Sequence, residues 1–460
     1  MAVAAGLRYS LVVTENADLY VFGINDNNQI LLKNNEIPVS SQVLPRRIDN
    51  EKVFGGAEIT MVAAGPSHGA CVTRDGCVWT WGSDNEGQLG IGRRFPDSTG
   101  AEKLTMAQFG NSPAIMVTCG RAHTMVLTAA GRVWAFGATR NSLAAYPAYL
   151  SPTLIDPLLF GGAQIGMISA LGNHSMALQK EDGVLWSWGC NRNGQLGLGE
   201  YSDGEITIPT RIDASAFGGA PVLYMSVGYD FTMVVTVGGV LWSCGCNEIG
   251  ELGLGNLNNH HSFQRVGGPE LFGDGGVRLV TCGFAYTLIL TMDKRVFHCG
   301  SRKDGPLVDT NQAVEDHVPS LIDPAYFGNS QIVVASVGYS HAIAVTAQGR
   351  VYTWGRANFL NMNMEYGAVN SGMGYVTTED QRTPMELPST LFQGARIGRY
   401  HRVCRERVLA FVMGLHARLG DTATFREFPD GPLEEMFQHM RLYPSPGTSD
   451  ALDTFLGHLV

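Results

Sequence analysis

The sequence predicts an all-β fold, a seven-bladed β-propeller of four-stranded blades, followed by a small C-terminal helical appendage. Two independent markers that share a period of roughly 55 residues predict it. The first is a Gly-x-x-His turn, or its aromatic variant, which begins at Gly6, Gly65, Gly120, Gly228, Gly283 and Gly338. The second is a Phe-Gly pair, found at Phe54, Phe109, Phe160, Phe217 and Phe327, with looser copies at Phe272 and Phe392. The 57 glycines and the low share of charged residues, 16%, suit many tight turns around a large apolar interior.

The second repeat shows how one repeat becomes one blade. Ile59–Ala64 is a run of small and apolar residues, which suits a strand crowded near a central axis. After the turn, His68–Thr73 is a second strand that ends at an Asp-Gly pair, a hairpin signal between β-rich segments. Residues 77–81 then alternate and place Trp79 and Trp81 on one face of a third strand.

A loop and a fourth strand complete the repeat. The loop reads Gly-Gln-Leu-Gly from Gly87 and Gly194 and Gly-Glu-Leu-Gly from Gly250, and its leucine is predicted to reach inward. A dinucleotide-binding interpretation is excluded because no helix pattern follows any of these loops. The fourth strand is predicted to open on a proline in several repeats, at Pro45, Pro152, Pro209, Pro319 and Pro384.

Composition limits the classes of partner and the compartment. The formal net charge of -10 opposes phosphate backbones, so we expect no nucleic-acid partner. No apolar run approaches the roughly 18 residues of a membrane span, so no membrane partner is expected. The nine cysteines form no Cys-x-x-Cys pair, and most lie in apolar runs, which indicates buried free thiols in a reducing compartment. We expect a monomeric protein in the cytoplasm, with the nucleus as the alternative.

Two stretches of the second repeat resemble the regulator of chromosome condensation repeat. They are Val62-Ala-Ala-Gly-Pro-Ser-His68 and Gly76-Cys-Val-Trp-Thr-Trp-Gly82, and the Gly-Gln-Leu-Gly loops add to them. The resemblance implies a seven-bladed propeller domain over residues 1–396. The founding member of that family exchanges guanine nucleotide on the small GTPase Ran, so the resemblance also implies a small GTPase as one partner. A propeller is a platform whose activity lies in its loops, so the fold alone does not fix the function.

The Gly-x-x-His turns supply the candidate partner-binding residues. Among the variable positions of the six regular turns, only Asp230 is acidic, and the fourth turn keeps His174 but has Leu171 where glycine is expected. The histidines recur at one place and are replaced by aromatic residues elsewhere, so packing explains them better than metal ligation does. The candidate partner-binding residues are Arg121, His123, His174, Tyr229, Asp230, Tyr339 and His341.

No catalytic, cofactor-binding or metal-binding site is predicted. The sequence has no nucleophile elbow, no zinc-protease helix and no phosphate-binding loop, and its acids are dispersed through loops. The seven tryptophans lie on predicted third strands, where they are expected to form blade core. The chain is therefore expected to be non-enzymatic.

Two segments depart from the repeat. An insertion at 361–382 is rich in Gly, Asn and Met, and it is either a binding loop or a tolerated excursion. Residues 397–460 are predicted to form a C-terminal helical extension, which either caps the propeller or recruits a partner.

These observations together predict a protein-binding propeller scaffold or regulator that recognises its partner through loops on one face. Two alternatives stay open. One is a guanine-nucleotide exchange factor for a small Ran-like GTPase, and the other is a ubiquitin-ligase substrate adaptor that uses the C-terminal extension.

Overall fold

In a computed structural model, the chain forms seven antiparallel four-stranded sheets arranged as the blades of a propeller, as predicted. The structure describes residues 3–34, 37–38, 41–94, 100–138, 149–301, 316–355, 374 and 381–395. In every blade the four strands are neighbours in chain order, so each blade is a meander built from one repeat. We number the strands of a blade from first to fourth, from the central axis outwards.

The strands and helices have the following bounds. The strands of blades 1 to 3 are Val3–Ala5, Tyr9–Val13, Leu19–Ile24 and Ser41–Arg47; Ile59–Ala64, His68–Thr73, Val78–Gly82 and Glu102–Leu104; and Ala114–Cys119, His123–Thr128, Val133–Gly137 and Tyr149–Leu154. Those of blades 4 and 5 are Ile165–Ala170, His174–Gln179, Leu185–Asn191 and Ser202–Ile212; and Val222–Val227, Phe231–Thr236, Leu241–Gly245 and His260–Val266. Those of blades 6 and 7 are Val277–Cys282, Tyr286–Thr291, Val296–Gly300 and Asp316–Ile322; and Ile332–Val337, His341–Thr346, Val351–Gly355 and Gln381–Leu387. A two-stranded ribbon pairs Lys33–Asn34 with Ile37–Pro38, and short helices follow the blades at Asn50–Phe54, Met106–Phe109, Pro157–Phe160, Ala214–Phe217, Pro269–Phe272, Pro324–Phe327 and Ser389–Phe392.

The two ends of the propeller differ in the connections that they carry. The first strand ends in the Gly-x-x-His turn, and the histidine pairs with the glycine that ends the third strand, as His68 does with Gly82. The connection from the third to the fourth strand therefore leaves from the same end as the turns, and we call this end the mouth face. The opposite end, the hairpin face, carries the hairpins between second and third strands and the helices between blades.

Hydroxyl groups on the first strands join neighbouring blades. A first strand lies at the inner edge of its sheet. The backbone N–H groups on its unpaired side therefore need partners outside the blade. Ser226 of blade 5 accepts a hydrogen bond from the N–H of Cys282 in blade 6 at 3.0 Å. Ser336 of blade 7 accepts in the same way from Ala5 of blade 1 at 3.0 Å, so this bond also closes the ring.

The Phe-Gly marker is the end of each short inter-blade helix, and its phenylalanine is buried. The ring centroid of Phe54 lies 5.4 Å from that of Trp79 and 6.0 Å from that of Trp81, so the two tryptophans share a face as predicted. Phe392, after blade 7, lies 5.2 Å from Tyr20 of blade 1. The marker phenylalanine therefore packs against an aromatic residue on the third strand of the blade that follows it.

In the described part of the chain, the ring closes without exchange of a strand between its first and last blades. Blade 1 is built wholly from residues 3–47 and blade 7 from residues 332–387. One apolar cluster joins them, with Val12 and Phe22 from blade 1 and Ile343 and Val345 from blade 7. The closing junction thus uses the same kinds of contact as the junctions between other blades.

The prolines predicted to open the fourth strands lie inside those strands, so that prediction was wrong. Pro209 lies within Ser202–Ile212 and Pro384 within Gln381–Leu387. In both blades the proline falls where the register with the third strand shifts. A bulge on an outer edge strand tolerates the missing N–H of proline as well as a strand start does.

Several predictions fall outside the described residues, namely the insertion apart from Gly374, Gln381 and Arg382 and the C-terminal extension over 397–460. In the part that the structure describes, no helix is long and apolar enough to cross a membrane. The eight cysteines in that part are free thiols, and six of them are buried.

Candidate partner-binding site

The histidines of the turns lie inside the wall of the ring and bond the next blade. His68, His123, His174 and His341 are each 0% exposed. Each Nε2 lies 2.8 to 3.0 Å from a hydroxyl oxygen of the next blade, in the pairs His68–Thr124, His123–Ser175, His174–Thr232 and His341–Ser10. Burial lowers the pKa of His68 and His174 to about 3 and that of His123 and His341 to about 4. These rings are therefore neutral near pH 7 and act as links between blades.

The glycine that begins each turn makes room for the ring and for the next blade. A Cβ on Gly65 would lie 2.8 Å both from the ring of His68 and from the carbonyl oxygen of Gly120 in blade 3. The residue after the glycine can donate its N–H to the carbonyl of the next blade's glycine, as Tyr229 does to Gly283 at 3.1 Å. The glycine is thus required by two close approaches at once.

The fourth turn preserves this arrangement in spite of Leu171. Gly172 supplies the carbonyl that accepts from the N–H of Arg121 at 3.0 Å, and a Cβ on Gly172 would collide with the carbonyl of Tyr229. The glycine expected at position 171 has therefore moved by one residue, and its structural role is kept.

Whether a turn carries histidine or an aromatic substitute correlates, with one exception, with the residue that this side chain faces in the next blade. Where blade 2 has Gly69 in place of a hydroxyl residue, blade 1 carries Tyr9, whose hydroxyl donates to a backbone carbonyl of blade 2 at 2.6 Å. Where blade 7 has Ala342 at the equivalent position, blade 6 carries Tyr286. Phe231 in blade 5 departs from this pairing. The sequence alone shows this correlation, because the facing residue is always the one directly after the histidine, or its substitute, of the next turn.

Three aromatic side chains from consecutive blades meet at the mouth face. Tyr229, Phe284 and Tyr339 each occupy the first variable position of their turn. Their ring centroids lie 4.7 Å apart for Tyr229 and Phe284, 4.8 Å for Phe284 and Tyr339, and 5.4 Å for Tyr229 and Tyr339. Tyr339 is 8% exposed, whereas the other two are half-buried. The three rings form one contiguous aromatic surface.

Two charged side chains lie beside these rings. Arg121 of blade 3 is exposed, and its positive charge acts on both Asp230 and Tyr339. Burial raises the pKa of Asp230, and the Arg121 charge and a hydrogen bond from the Gln195 amide at 3.2 Å oppose that rise. Burial also raises the pKa of Tyr339. We call Arg121, Tyr229, Asp230, Phe284 and Tyr339 the mouth cluster.

The structure brings together four of the seven candidate residues predicted from the sequence, Arg121, Tyr229, Asp230 and Tyr339. The other three, His123, His174 and His341, are buried links between blades and do not face a partner. Sequence reasoning missed Phe284. The signal was present, because an aromatic residue stands at one turn position in three consecutive repeats.

The third-to-fourth connections of blades 6 and 7 adjoin this cluster's end of the propeller, the mouth face. Gly355 pairs with Gln381, so the chain between them, which includes most of the 361–382 insertion, leaves and rejoins blade 7 at this end. Gly300 pairs with Asp316 in the same way in blade 6. Among the described residues, no group of three His, Cys, Asp or Glu side chains could hold a metal ion.

Comparison with known sequences identifies relatives of this chain. A family model of the RCC1-like domain matches residues 1–274, and a model of the regulator of chromosome condensation (RCC1) repeat matches residues 332–359. The ultraviolet-B receptor UVR8 of Arabidopsis thaliana is 28% identical, over 65% of this chain and 66% of its own length. The serine/threonine-protein kinase Nek9 of Xenopus laevis is 26% identical, over 75% of this chain and 36% of its own length. The chain thus spans less than two thirds of both relatives.

Solved structures show the same fold. Yeast RCC1 (Prp20), solved bound to Kap60, has a TM-score of 0.66 at 18% identity, over 85% of this chain and 91% of that chain. Human WBSCR16 has a TM-score of 0.63 at 22% identity, over 76% of this chain and 86% of that chain. With more than half of its length matched by the family model, the chain belongs to the RCC1-like domain family.

Proposed function

We propose that the chain is a non-enzymatic protein-binding regulator that recognises its partner at the mouth cluster. The observation that carries this proposal is the convergence at one place of side chains that the repeat does not need. Arg121, Tyr229, Phe284 and Tyr339 come from four different blades, and the bonded ring fixes their spacing. Aromatic and arginine side chains supply much of the binding energy at protein interfaces.

The relatives support a regulatory role for the propeller. The named activities differ, since one relative is a receptor, one is a protein kinase, and the probable E3 ubiquitin-protein ligase HERC6 of Homo sapiens is another. The alignments with the kinase and the ligase cover only 36% and 27% of those proteins. A shared propeller that accompanies different activities fits a recognition module better than a catalyst.

A photo-crosslinking amino acid placed at position 284 tests the proposal. A matched control carries the same crosslinker at Leu158, which is 78% exposed on the hairpin face. We expect one protein to crosslink in cells from position 284 and not from position 158, and to be lost when Tyr229→Ala is added. Crosslinking from position 158 alone would place recognition on the other face and contradict the proposal.

A guanine-nucleotide exchange factor is the second candidate function. Asp230 provides an acidic side chain at the mouth, and the fold is that of yeast Prp20p, whose structure was described together with its binding properties to Gsp1p and histones. The test is release of fluorescent GDP from a panel of small GTPases by catalytic amounts of the chain. Acceleration that Asp230→Asn abolishes would support exchange activity, whereas no acceleration on any member would leave binding alone.

The ubiquitin-ligase adaptor stays a prediction, because it rests on residues 397–460, which lie outside the described part. Its test is the capture of a cullin component by the full chain and the loss of that capture when these residues are deleted.

A further inference from the structure

We propose that the partner docks an acidic peptide segment on the mouth cluster. One of its carboxylates would pair with Arg121, and the adjoining chain would cross the rings of Tyr229 and Phe284. This inference rests on the proposed function and specifies the chemistry that the same site recognises.

Within the mouth cluster the more exposed charge is positive, because Arg121 is exposed and Asp230 is half-buried, although the chain as a whole carries a formal charge of -10. Arg121 is exposed, and it makes no ion pair with any residue that the structure describes. Arg8, in the turn of blade 1, adds a second guanidinium that the charge of Asp26 partly offsets. An exposed arginine without an ion-pair partner among the described residues favours a negatively charged segment at this place, whereas the net negative charge of the chain disfavours that segment on most of the remaining surface.

Asp230 does not make the site equally suited to a basic partner. It is half-buried, and its Oδ1 already accepts a hydrogen bond from the Gln195 amide. A cation brought to Asp230 would meet repulsion from Arg121. A carboxylate brought to Arg121 meets an exposed guanidinium, whereas the neighbouring Asp230 is half-buried.

The aromatic surface makes a carboxylate–arginine pair stronger than it would be in open water. An arginine can bind a carboxylate through two parallel N–H donors. When peptide side chains cover the half-buried rings of Tyr229 and Phe284, they exclude water from the pair and lower the local dielectric. The rings and the guanidinium therefore act together, and loss of either should weaken binding.

Selection of random twelve-residue peptides displayed on phage, with the full-length chain as bait, tests the inference. We expect the selected peptides to be enriched in Asp and Glu. Fluorescence anisotropy of a labelled selected peptide should show a tenfold or greater loss of affinity for Arg121→Glu and a smaller loss for Phe284→Ala. Arg46→Glu, the same charge reversal at an exposed arginine on the fourth strand of blade 1, should leave the affinity unchanged.

Two other outcomes would overturn the inference in distinguishable ways. Basic peptides that depend on Asp230, and lose binding in Asp230→Asn but not in Arg121→Gln, would refute the acidic segment while leaving the mouth as the binding site. Peptides insensitive to Arg121→Glu, Asp230→Asn and Phe284→Ala bind elsewhere, and they would refute the proposed function as well. Arg121→Gln removes the charge without reversing it, so it replaces Arg121→Glu if that variant does not fold.

Discussion

Blades 2 to 4 and blades 5 to 7 share the same four-stranded architecture, yet they present different residues at the mouth. The first variable position of the turn holds a proline, an arginine or a glycine in blades 2 to 4, and an aromatic residue in blades 5 to 7: Pro66, Arg121 and Gly172 against Tyr229, Phe284 and Tyr339. In blades 3, 5, 6 and 7 this residue joins the next blade through its backbone N–H, so its side chain is free to vary. Within a turn of only a few residues, the backbone can join neighbouring blades while the side chain at the first variable position serves the proposed recognition.

Acid should act first on blades 2 to 4, which hold three of the four buried histidines of the Gly-x-x-His turns. Their pKa values in the folded protein, about 3 to 4, lie below the value of roughly 6.5 in an unfolded chain, so the unfolded state binds more protons below pH 6.5. Stability present above pH 6.5 is therefore lost as the pH falls towards 4. At pH 5.5 the four histidines together should lower the free energy of unfolding by about 5 to 6 kcal/mol.

Urea denaturation at pH 7.5 and 5.5 measures this loss, and hydrogen exchange at the two pH values locates it. Amide protection should fall earlier in residues 114–179 than in residues 222–291. Equal stability at the two pH values would contradict the buried, neutral state of the histidines.

Gly338→Ala should disrupt the close backbone approach between neighbouring blades at the Gly-x-x-His turns. The new Cβ would collide with the backbone carbonyl of Gly6 at the closing junction, where nothing flexible can move aside. We expect a loss of about 3 kcal/mol in the free energy of unfolding. Gly100→Ala is the matched control, because no atom lies within 4 Å of its added Cβ, and it should be near neutral in the same denaturation assay.

His123→Phe should show how much one histidine–hydroxyl bond contributes to stability, because it gives blade 3 the residue type that blade 5 carries at Phe231. The change leaves the hydroxyl of Ser175 without its partner ring, and we expect a cost of about 2 kcal/mol in the free energy of unfolding. A double-mutant cycle with Ser175→Ala provides the control. If the two single changes are strictly additive, the histidine–hydroxyl bond does not couple the blades.

Arg121→Gln should have the smallest effect on stability, since the side chain is exposed and only its backbone N–H joins the next blade. We expect a change below about 0.5 kcal/mol in the free energy of unfolding. The same variant should weaken partner binding at the mouth. A large loss of stability would show that the side chain belongs to the construction of the ring.

The blade architecture could be predicted because the residues that build it repeat. The first two strands of blade 2 were predicted at Ile59–Ala64 and His68–Thr73, and the structure has these bounds. The position of proline in the fourth strands was predicted wrongly, because a bulge and a strand start make the same demand on the backbone. Sequence periodicity cannot distinguish the two.

The mouth cluster could be predicted only in part. Asp230 stood out as the only acidic variable residue of the regular turns, and Tyr229 and Tyr339 were among the candidates, but their contact depends on how the ring brings together turns that are far apart in the chain. The burial of the histidines followed from their recurrence, while their hydroxyl partners did not. Those partners were visible only as covariation between residues such as Tyr9 and Gly69 in neighbouring repeats.

Closure without strand exchange makes the seam between the last and first blades equivalent in kind to the other seams of the ring. Each blade is a complete module of contiguous chain, and the marker phenylalanine at its end, such as Phe392, packs onto the next module, here at Tyr20. The position of the first blade in the ring is therefore set by where the chain begins, and the contacts at each junction are of the same kind. A circular permutant opened between blades 3 and 4 is therefore expected to keep every inter-blade bond that residues 3–395 make in the described structure.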